Sequence, residues 1–332
     1  MTREVYFAGG CFWGVEHFFK GVSGVVSATP GYANGNGVSP SYKEVYTDTT
    51  GFAETVKVVY DPETVSLREL VRLFFAIIDP LSLNKQGHDE GTRYRSGVYY
   101  IEPDDFPVLR ECFMDVASAL GSEPVTELLP LRCFYPAEEY HQDYLGKNPD
   151  GYCHLPLKAF RYLRLYQDLK LLLGDEPDTV ARMANTAALL YERMHFFWVG
   201  FYRVDGRELV LGPFQGPSAC QRITYGKGVC GKAWESARTI VVPDVEEFPG
   251  HIACNSLSKS EIVVPVFQAG DKGACTVGAA GAVSPADVCI AAGVRSGAVR
   301  AVLDIDSTEK ASFDSIDAAF LELVAQVVLR HQ

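Results

Sequence analysis

One thiol near the start of the chain, Cys11, lies in a setting that favours nucleophilic chemistry. It follows an apolar run at 5–8 that is typical of a strand and precedes an amphipathic run at 15–20 that is typical of a helix. Backbone N–H groups at the start of a helix stabilise a thiolate, so we expect the pKa of Cys11 to lie below the ordinary value of about 8.5. The next residues, Phe12 and Trp13, form an apolar wall that suits a substrate methyl group better than a metal ion.

Two acidic residues in tyrosine-containing segments are candidates for proton transfer. Glu44 lies in Tyr-Lys-Glu-Val at 42–45, and Asp89 lies in a segment that ends at Tyr94. A thiolate that attacks a sulfoxide needs a proton for the departing oxygen, and a carboxylic acid kept neutral in an apolar pocket can supply it. The alternative is that Cys11 is a structural cysteine, that Glu44 pairs with a surface lysine and that the tyrosines belong to the core.

The composition restricts the class of partner and the compartment. The 332 residues include 30 Lys plus Arg against 42 Asp plus Glu, a formal charge of -12, which argues against nucleic acid and anionic membranes as partners. The N-terminus resembles no leader peptide, and no apolar stretch reaches the roughly 18 residues of a membrane span, so a cytoplasmic location is expected.

The cysteine pattern favours redox use over structural bonding. Nine cysteines at irregular spacing do not form the framework of a secreted disulfide-rich domain. No C-x-x-C motif is present, so we expect no metal site.

The alternation of strand-like and helical runs predicts an α+β chain of two domains. We expect a first domain at 1–155, a helical linker at 156–177 and a second domain at 178–332. A Gly- and Ala-rich insert at 269–298 contains Cys275 and Cys289, and its composition predicts a mobile surface loop in which these thiols are incidental.

A set of ordered motifs in the first half resembles the A-type peptide methionine-(S)-sulfoxide reductases. The motifs are Gly-Cys-Phe-Trp-Gly at 10–14, Gly-Tyr at 31–32, Tyr-Lys-Glu-Val at 42–45, Gly-x-Asp-x-Gly-Thr-x-Tyr-Arg-Ser at 87–96 and Gly-Tyr-Cys at 151–153. The resemblance covers residues 4 to about 155 and implies a ferredoxin-like two-layer α/β sandwich.

This resemblance also implies roles for individual residues. Cys11 attacks the sulfoxide sulfur and becomes a sulfenic acid, and Cys153 resolves it as a disulfide that thioredoxin reduces. Glu44 is the implied acid. The implied substrate-binding residues are Tyr32, Asp89 and Tyr94 around the sulfoxide oxygen and Phe12 and Trp13 around the methyl group.

Carboxylates and aromatic residues in the second half suggest a cavity for a cationic group. Asp304 and Asp306 alternate with apolar residues in a strand-like run, so they share one face, and Glu261 lies in another such run. Acids in one cavity raise each other's pKa and suit a substrate ammonium group. Trp198 and Tyr202 share a face and could line the same cavity. The alternative is a pair of solvent-facing aspartates on an edge strand.

The second half resembles a free methionine-(R)-sulfoxide reductase, an enzyme built on the GAF fold. The motifs are Asn-Thr-Ala-Ala-Leu-Leu-Tyr at 185–191, Trp-x-Gly-Phe-Tyr at 198–202, Leu-Gly-Pro-Phe-Gln-Gly at 211–216, Gly-Val-Cys-Gly at 228–231, Gly-His-Ile-Ala-Cys at 250–254, Ser-Glu-Ile-Val at 260–263 and Leu-Asp-Ile-Asp-Ser at 303–307. The resemblance covers about 165–329.

Carried over, Cys254 is the nucleophile, Cys220 the resolving thiol and Cys230 an auxiliary thiol. The implied substrate-binding residues are Trp198, Tyr202, Glu261, Asp304 and Asp306. Asn255 departs from the pattern, which usually has an Asp after the nucleophile, and the insert at 269–298 replaces a short hairpin.

Together the two resemblances imply a natural fusion that reduces both epimers of methionine sulfoxide. The expected substrates are oxidised proteins and free methionine sulfoxide, with thioredoxin as electron donor and no bound cofactor. Dimerisation through the GAF half is a further expectation. The alternative is that the second half is an inactive, ligand-sensing GAF module that regulates the first.

Overall fold

The computed structural model describes residues 1–252, 254–267 and 298–329. Two compact units divide the chain, Met1–Arg164 and Leu165–Gln332. The predicted insert at 269–298, with Cys275 and Cys289, lies almost wholly outside the described residues. Among helices of the described residues, none combines the length and apolar character needed to cross a membrane.

The N-terminal unit is an antiparallel sheet with helices packed on it. Its strands are β1 (Arg3–Gly9), β2 (Val25–Ala33), β3 (Ala53–Tyr60), β4 (Lys85–Gln86), β5 (Asp89–Glu90), β6 (Ser96–Tyr100), β7 (Glu127–Pro130) and β8 (Phe134–Pro136). Its helices are α1 (Phe12–Lys20), α2 (Tyr42–Val45), α3 (Leu67–Phe75), α4 (Phe106–Leu120) and α5 (Tyr144–Lys147), with 3-10 turns at Thr92–Tyr94 and Pro103–Asp105.

The main sheet has the order β7-β6-β1-β3-β2-β8. The central strands β6, β1, β3 and β2 pair antiparallel, with α1 between β1 and β2 and α3 after β3. This is the ferredoxin-like arrangement, in which two β-α-β halves place both helices on one face of the sheet. The predicted α+β class and two-layer fold are confirmed.

Aromatic residues fill the space between α1, α3 and the sheet. Phe7 on β1 stacks on Phe19 of α1 and on Phe74 of α3, with ring centroids 4.7 and 4.8 Å apart. All three rings are fully buried. Burial of such large apolar side chains is the main stabilising term that holds α1, and therefore its first residues, against the sheet.

The C-terminal unit is a second α+β domain. Its strands are β9 (Trp198–Asp205), β10 (Glu208–Gln215), β11 (Arg222–Thr224), β12 (Ile240–Val242), β13 (Ser260–Phe267) and β14 (Val299–Ser307). Its helices are α7 (Thr179–Met194), α8 (Gly228–Ser236) and α9 (Ser315–Val328), while α6 (Leu157–Leu173) contains the point at which the chain divides. The helical part of the predicted linker at 156–177 therefore forms, and its boundaries stay a prediction.

The C-terminal sheet has the order β11-β10-β9-β14-β13-β12 in the described residues, and its neighbouring strands pair antiparallel. Arg182 of α7 ties the helices of this unit together, because its guanidinium donates hydrogen bonds to the carbonyls of Val327 and Val328 at 2.7 and 2.8 Å. It also donates to the carbonyl of Glu176 at 2.8 Å. These bonds satisfy backbone groups that the helix ends leave unpaired.

Candidate active sites

Cys11 is the N-cap residue of α1 and is only 5% exposed. Gly10 makes the turn into the helix with a φ of +83°, which favours glycine. A Cβ atom at this position would also lie only 2.7 Å from the Cβ atom of Gln86. The predicted lowering of the thiol pKa is wrong for this resting state. Burial and the Glu54 carboxyl raise the pKa of Cys11 well above its ordinary value, and they outweigh the hydrogen bond that the Trp13 N–H donates to the sulfur.

A buried glutamate that the sequence analysis did not select faces this thiol. Glu54 on β3 is 1% exposed and accepts a hydrogen bond from the Phe12 N–H at 3.1 Å. Burial raises the pKa of Glu54 to about 8, although the Phe12 N–H and the Arg93 guanidinium favour its charged form. Glu54 is therefore a neutral carboxylic acid beside Cys11 that can donate a proton near neutral pH.

Two phenols lie beside this acid, Tyr42 at the start of α2 and Tyr94 in a 3-10 turn. Burial and the Glu54 carboxyl raise the pKa of both, that of Tyr94 to about 12, and both also interact electrostatically with Cys11. The phenols therefore stay neutral hydrogen-bond donors near physiological pH.

The structure places one predicted residue, Glu44, elsewhere, and it places Tyr32 beside the site with its hydroxyl already engaged. Glu44 is exposed and accepts hydrogen bonds from the Ser41 N–H and hydroxyl, both at 2.8 Å, as part of a capping box on α2. These bonds lower the pKa of Glu44, so the prediction of a neutral acid in an apolar pocket is wrong at this position. Tyr32 pairs with Glu54 across the two strands, and its ring lies 5.9 Å from that of Phe12. Its hydroxyl donates a hydrogen bond to Glu138 at 2.7 Å.

Cys153, His154 and Asp89 surround the other side of Cys11. A Cβ on Gly14 would lie 3.2 Å from the Cys153 sulfur and 2.9 Å from Nδ1 of His154, so the absence of a side chain there lets both approach α1. One atom each of Cys11, Asp89 and His154 lies within 4.8 Å of the others. Tyr152 donates a hydrogen bond to Asp89 at 2.9 Å, and the second carboxylate oxygen is buried without a partner. Cys11 and Cys153 are both free thiols.

Phe12 and Trp13 extend from the first turn of α1 into an aromatic group. Phe12 is fully buried, with its ring centroid 5.1 Å from that of His141. Trp13 stacks on Tyr144 at 3.7 Å and donates its indole hydrogen to Nδ1 of His141 at 3.1 Å. His141 thus holds both rings in place.

The C-terminal unit contains a pocket that is lined by one cysteine of a disulfide. Cys220 and Cys254 are bonded, and Cys254 lines the pocket beside Asn255. The Asn255 side chain accepts a hydrogen bond from the Leu257 N–H at 2.9 Å, which shapes the turn after Cys254. The Asn255 side chain therefore stabilises this turn.

The three predicted carboxyls meet in this pocket because of the strand register. Glu261 on β13 pairs with Asp306 on β14, which in turn pairs with Trp198 on β9, so these side chains lie on one face. Asp304 lies two residues before Asp306 and shares that face. Burial raises the pKa of Asp304 to about 6 and that of Asp306 to about 8, while burial and Asp304 raise the pKa of Glu261.

Cys230 on α8 packs against these acids. Cys230 is 3% exposed, and its sulfur lies 4.0 Å from Oε1 of Glu261. Burial and the Asp304 carboxyl raise the pKa of Cys230 well above its ordinary value, so it is a neutral thiol. It lines the same pocket as Cys254 without bonding to it.

The aromatic wall is formed as predicted from β9. Trp198 and Tyr202 stack with centroids 6.0 Å apart, and the indole donates a hydrogen bond to the Pro217 carbonyl at 3.0 Å. The Tyr202 hydroxyl donates to the carbonyl of Cys220 at 3.0 Å. Tyr202 thus fixes the backbone of the bonded cysteine.

Sequence reasoning missed several residues at both sites. Glu54 carries a usable signal, because a lone acid inside an apolar strand must be buried. Tyr42 lies in the motif that drew attention to Glu44. His154 and His251 carry no comparable signal, although His251 Nε2 lies 3.6 Å from Glu261 and His154 Nε2 lies 3.1 Å from the Gly9 carbonyl.

Comparison with known families agrees with this division into two units. Residues 3–169 match the peptide methionine sulfoxide reductase model, and residues 178–329 match the GAF domain model. The chain is 48% identical over 159 residues to the peptide methionine sulfoxide reductase MsrA of Clostridium acetobutylicum, covering 48% of this chain and 98% of that protein.

Solved structures similar to each half are also known. The free methionine-R-sulfoxide reductase of Neisseria meningitidis, in complex with its substrate, is 43% identical and aligns with 52% of this chain and 89% of its own, with a TM-score of 0.43. The reduced form of Mxr1 from Saccharomyces cerevisiae is 39% identical and aligns with 47% and 92%, with a TM-score of 0.45. Because one family model spans half of the chain and relatives align over almost their full length, the chain belongs to the peptide methionine sulfoxide reductase family.

Proposed function

We propose that the two units reduce opposite epimers of methionine sulfoxide with electrons from thioredoxin. The N-terminal unit acts on the S epimer, in proteins and as the free amino acid, and the C-terminal unit acts on the R epimer of free methionine sulfoxide. Oxidation of methionine produces both epimers, and one chiral pocket cannot accept both equally well. Two pockets on one chain therefore reduce both epimers that the oxidation of methionine produces.

In the N-terminal unit, Cys11 is the proposed nucleophile and Glu54 the proposed acid. The Cys11 sulfur attacks the sulfoxide sulfur while Glu54 protonates the sulfoxide oxygen, and the thiol proton returns to the carboxylate. The oxygen passes to Cys11, which becomes a sulfenic acid as the sulfide leaves. Tyr42 and Tyr94 donate hydrogen bonds to the oxygen, and Phe12 and Trp13 hold the methyl group.

The sulfenic acid is then resolved by a second thiol. Cys153 attacks the sulfur of Cys11, a disulfide forms and water leaves. The packing of the Cys153 sulfur against the Gly14 position in the first turn of α1 supports this role. Thioredoxin returns both cysteines to thiols by disulfide exchange.

The C-terminal proposal is carried by one observation, the bonded Cys254 in a pocket with three buried carboxyls. Among the described residues, no Lys or Arg forms an ion pair with Glu261, Asp304 or Asp306, so these buried acids are left for a cationic ligand to pair with. A free amino acid offers an ammonium group, which a methionine inside a protein chain lacks. Cys254 is the proposed nucleophile, Cys220 the resolving thiol and Cys230 an auxiliary thiol.

The competing candidate is a GAF module that senses a ligand and lacks catalysis. It is favoured by the departure at Asn255, which occupies the position after the nucleophile. A sensing module needs the carboxyls but has no need of the bond between Cys220 and Cys254.

Thioredoxin-dependent reduction of each pure epimer distinguishes a catalytic C-terminal unit from a sensing module. We expect the Cys11→Ser chain to keep activity on free R epimer and to lose activity on S epimer, and Cys254→Ser to show the reverse pattern. If no form of the chain reduces the R epimer while the intact chain reduces the S epimer, the C-terminal unit is a sensing module.

A further inference from the structure

We propose that Cys230, Glu261 and Asp304 form a binding site for Zn²⁺ in the pocket of the C-terminal unit. One sulfur and two carboxylate oxygens, one from each residue, lie within 4.8 Å of one another. Zinc ligands lie about 2.0–2.3 Å from the ion, so their atoms are roughly 3.5 Å apart in a tetrahedral site. The Cys230 sulfur and Oε1 of Glu261 are already 4.0 Å apart. Small side-chain movements therefore bring all three donors into range.

The site contains a buried acceptor that has no partner. Asp304 is 7% exposed, and its carboxyl group interacts with Cys230 and Glu261, but its Oδ1 atom is buried without a hydrogen-bond partner. A buried carboxylate oxygen without a donor is costly, and a metal ion in the pocket removes that cost. This unpaired oxygen is an observation independent of the clustering of the three donors.

The donor set favours zinc over the hard cations. A thiol with carboxylates suits Zn²⁺, whereas Ca²⁺ and Mg²⁺ prefer oxygen ligands alone. His251 provides a further nitrogen, with Nε2 3.6 Å from Oε2 of Glu261. Cys230 must lose its proton on binding, so zinc affinity increases with pH.

Zinc at this position occupies the space in which the substrate ammonium group is expected. The ion therefore competes with free methionine sulfoxide, a consequence that rests on the proposed function. Cys230 is separate from the bonded pair, so its thiol is available to zinc while Cys220 and Cys254 form a disulfide.

Binding is tested directly with Co²⁺ as a spectroscopic substitute and Zn²⁺ as its competitor. The full chain carries Cys11→Ser and Cys153→Ser, because Cys11, Asp89 and His154 form a second cluster of donor atoms. The bond between Cys220 and Cys254 is left intact. We expect the charge-transfer band of a cobalt–thiolate bond and its loss on addition of Zn²⁺.

Matched variants in the same background identify the ligands. Cys230→Ala is expected to abolish the band and Asp304→Asn to weaken binding by about tenfold or more, while Cys112→Ala, another buried thiol, leaves both unchanged. Circular dichroism checks that each variant is folded. An unchanged band in folded Cys230→Ala, or unchanged affinity in Asp304→Asn, overturns the site.

An activity assay in the same background separates this inference from the proposed function. We expect Zn²⁺ to raise the KM for free R epimer with kcat unchanged. Metal binding without any activity on the R epimer upholds the site and contradicts the proposed function. Activity on the R epimer without metal binding contradicts the zinc site and supports the proposed function.

Discussion

The buried Glu54 carboxylate accepts a hydrogen bond from the backbone N–H of Phe12, the residue after Cys11, at 3.1 Å. The proposed acid, Glu54, and the proposed nucleophile, Cys11, are therefore fixed to the same turn of backbone. Because β3 holds Glu54 and β1 leads into Cys11, and the two strands pair directly, the sheet itself sets their separation. Such fixed geometry is what proton transfer to a departing oxygen requires.

Replacing Glu54 tests the identity of the acid. Glu54→Gln keeps the size and the hydrogen bond acceptor but cannot deliver a proton, so we expect S-epimer reduction to fall by about 10²–10⁴-fold. The measurement is the single-turnover rate of methionine formation, with Glu44→Gln as the matched control. Glu44→Gln is expected to keep the rate within about twofold, because Glu44 is an exposed helix cap. Equal losses in both variants contradict the assignment.

The pH dependence of the N-terminal site follows from the same acid. Burial raises the pKa of Glu54 to about 8, so the carboxyl is protonated and active below that pH and loses its proton above it. We therefore expect kcat/KM for the S epimer to decrease as pH rises through about 8. A rate that increases through this range, as a thiolate-limited reaction would, opposes the proposal. The rates are measured in single turnovers, because these exclude effects of pH on the step in which thioredoxin reduces the enzyme.

The tyrosines provide a second matched pair. Tyr42→Phe removes a phenol beside Glu54 and Cys11, so we expect the S-epimer rate to fall by about tenfold or more with little change in stability. Tyr32→Phe removes a hydrogen bond to Glu138 and is expected to cost about 1 kcal/mol of unfolding free energy while leaving the chemical step intact. Denaturant unfolding and single-turnover rates measure the two effects. If Tyr32→Phe lowers the S-epimer rate more than Tyr42→Phe does, Tyr32 rather than Tyr42 assists the chemical step.

The two pairs also indicate how far sequence alone can identify this site. Cys11 was found because glycines and a change of hydrophobic pattern mark its turn. A contiguous motif around Glu44 points to that acid, whereas Glu54 reaches Cys11 through strand pairing, which no local motif marks. Proximity of that kind depends on tertiary structure and leaves no local pattern except an acid in an apolar strand.

The opposite pH trend is expected at the C-terminal site. The pKa of Asp304 is raised to about 6 and that of Asp306 to about 8, mainly by burial, so both become charged as pH rises between these values. Their negative charge attracts a substrate ammonium group, so the KM for free R epimer should decrease from pH 6 to pH 8.

Asp306→Asn should raise this KM by about tenfold or more and flatten its dependence on pH above 7. Asp205→Asn, at an exposed position at the end of β9, is the control and should retain both the KM and the pH profile. A KM that is independent of pH in the intact chain contradicts an ionic role for the acids.

Sequence alone predicted more of this second site, because its residues lie at regular positions on strands. The alternation of Asp304 and Asp306 with apolar neighbours fixed their shared face, and pairing of β13 with β14 placed Glu261 opposite Asp306. Cys230 was selected, but its contact with the acids depends on how α8 packs on the sheet. His251 lies in a loop, where no periodic pattern applies.

We propose that the C-terminal unit has its own catalytic thiol, Cys254. The most direct test of this claim is the methionine formed from free R epimer by fully reduced Cys11→Ser chain without any reductant, compared with the same chain carrying Cys254→Ser as well. We predict about one equivalent of methionine per chain in the first and none in the second, because one sulfenic acid forms at each nucleophile. Methionine formation in both forms, or in neither, contradicts the claim.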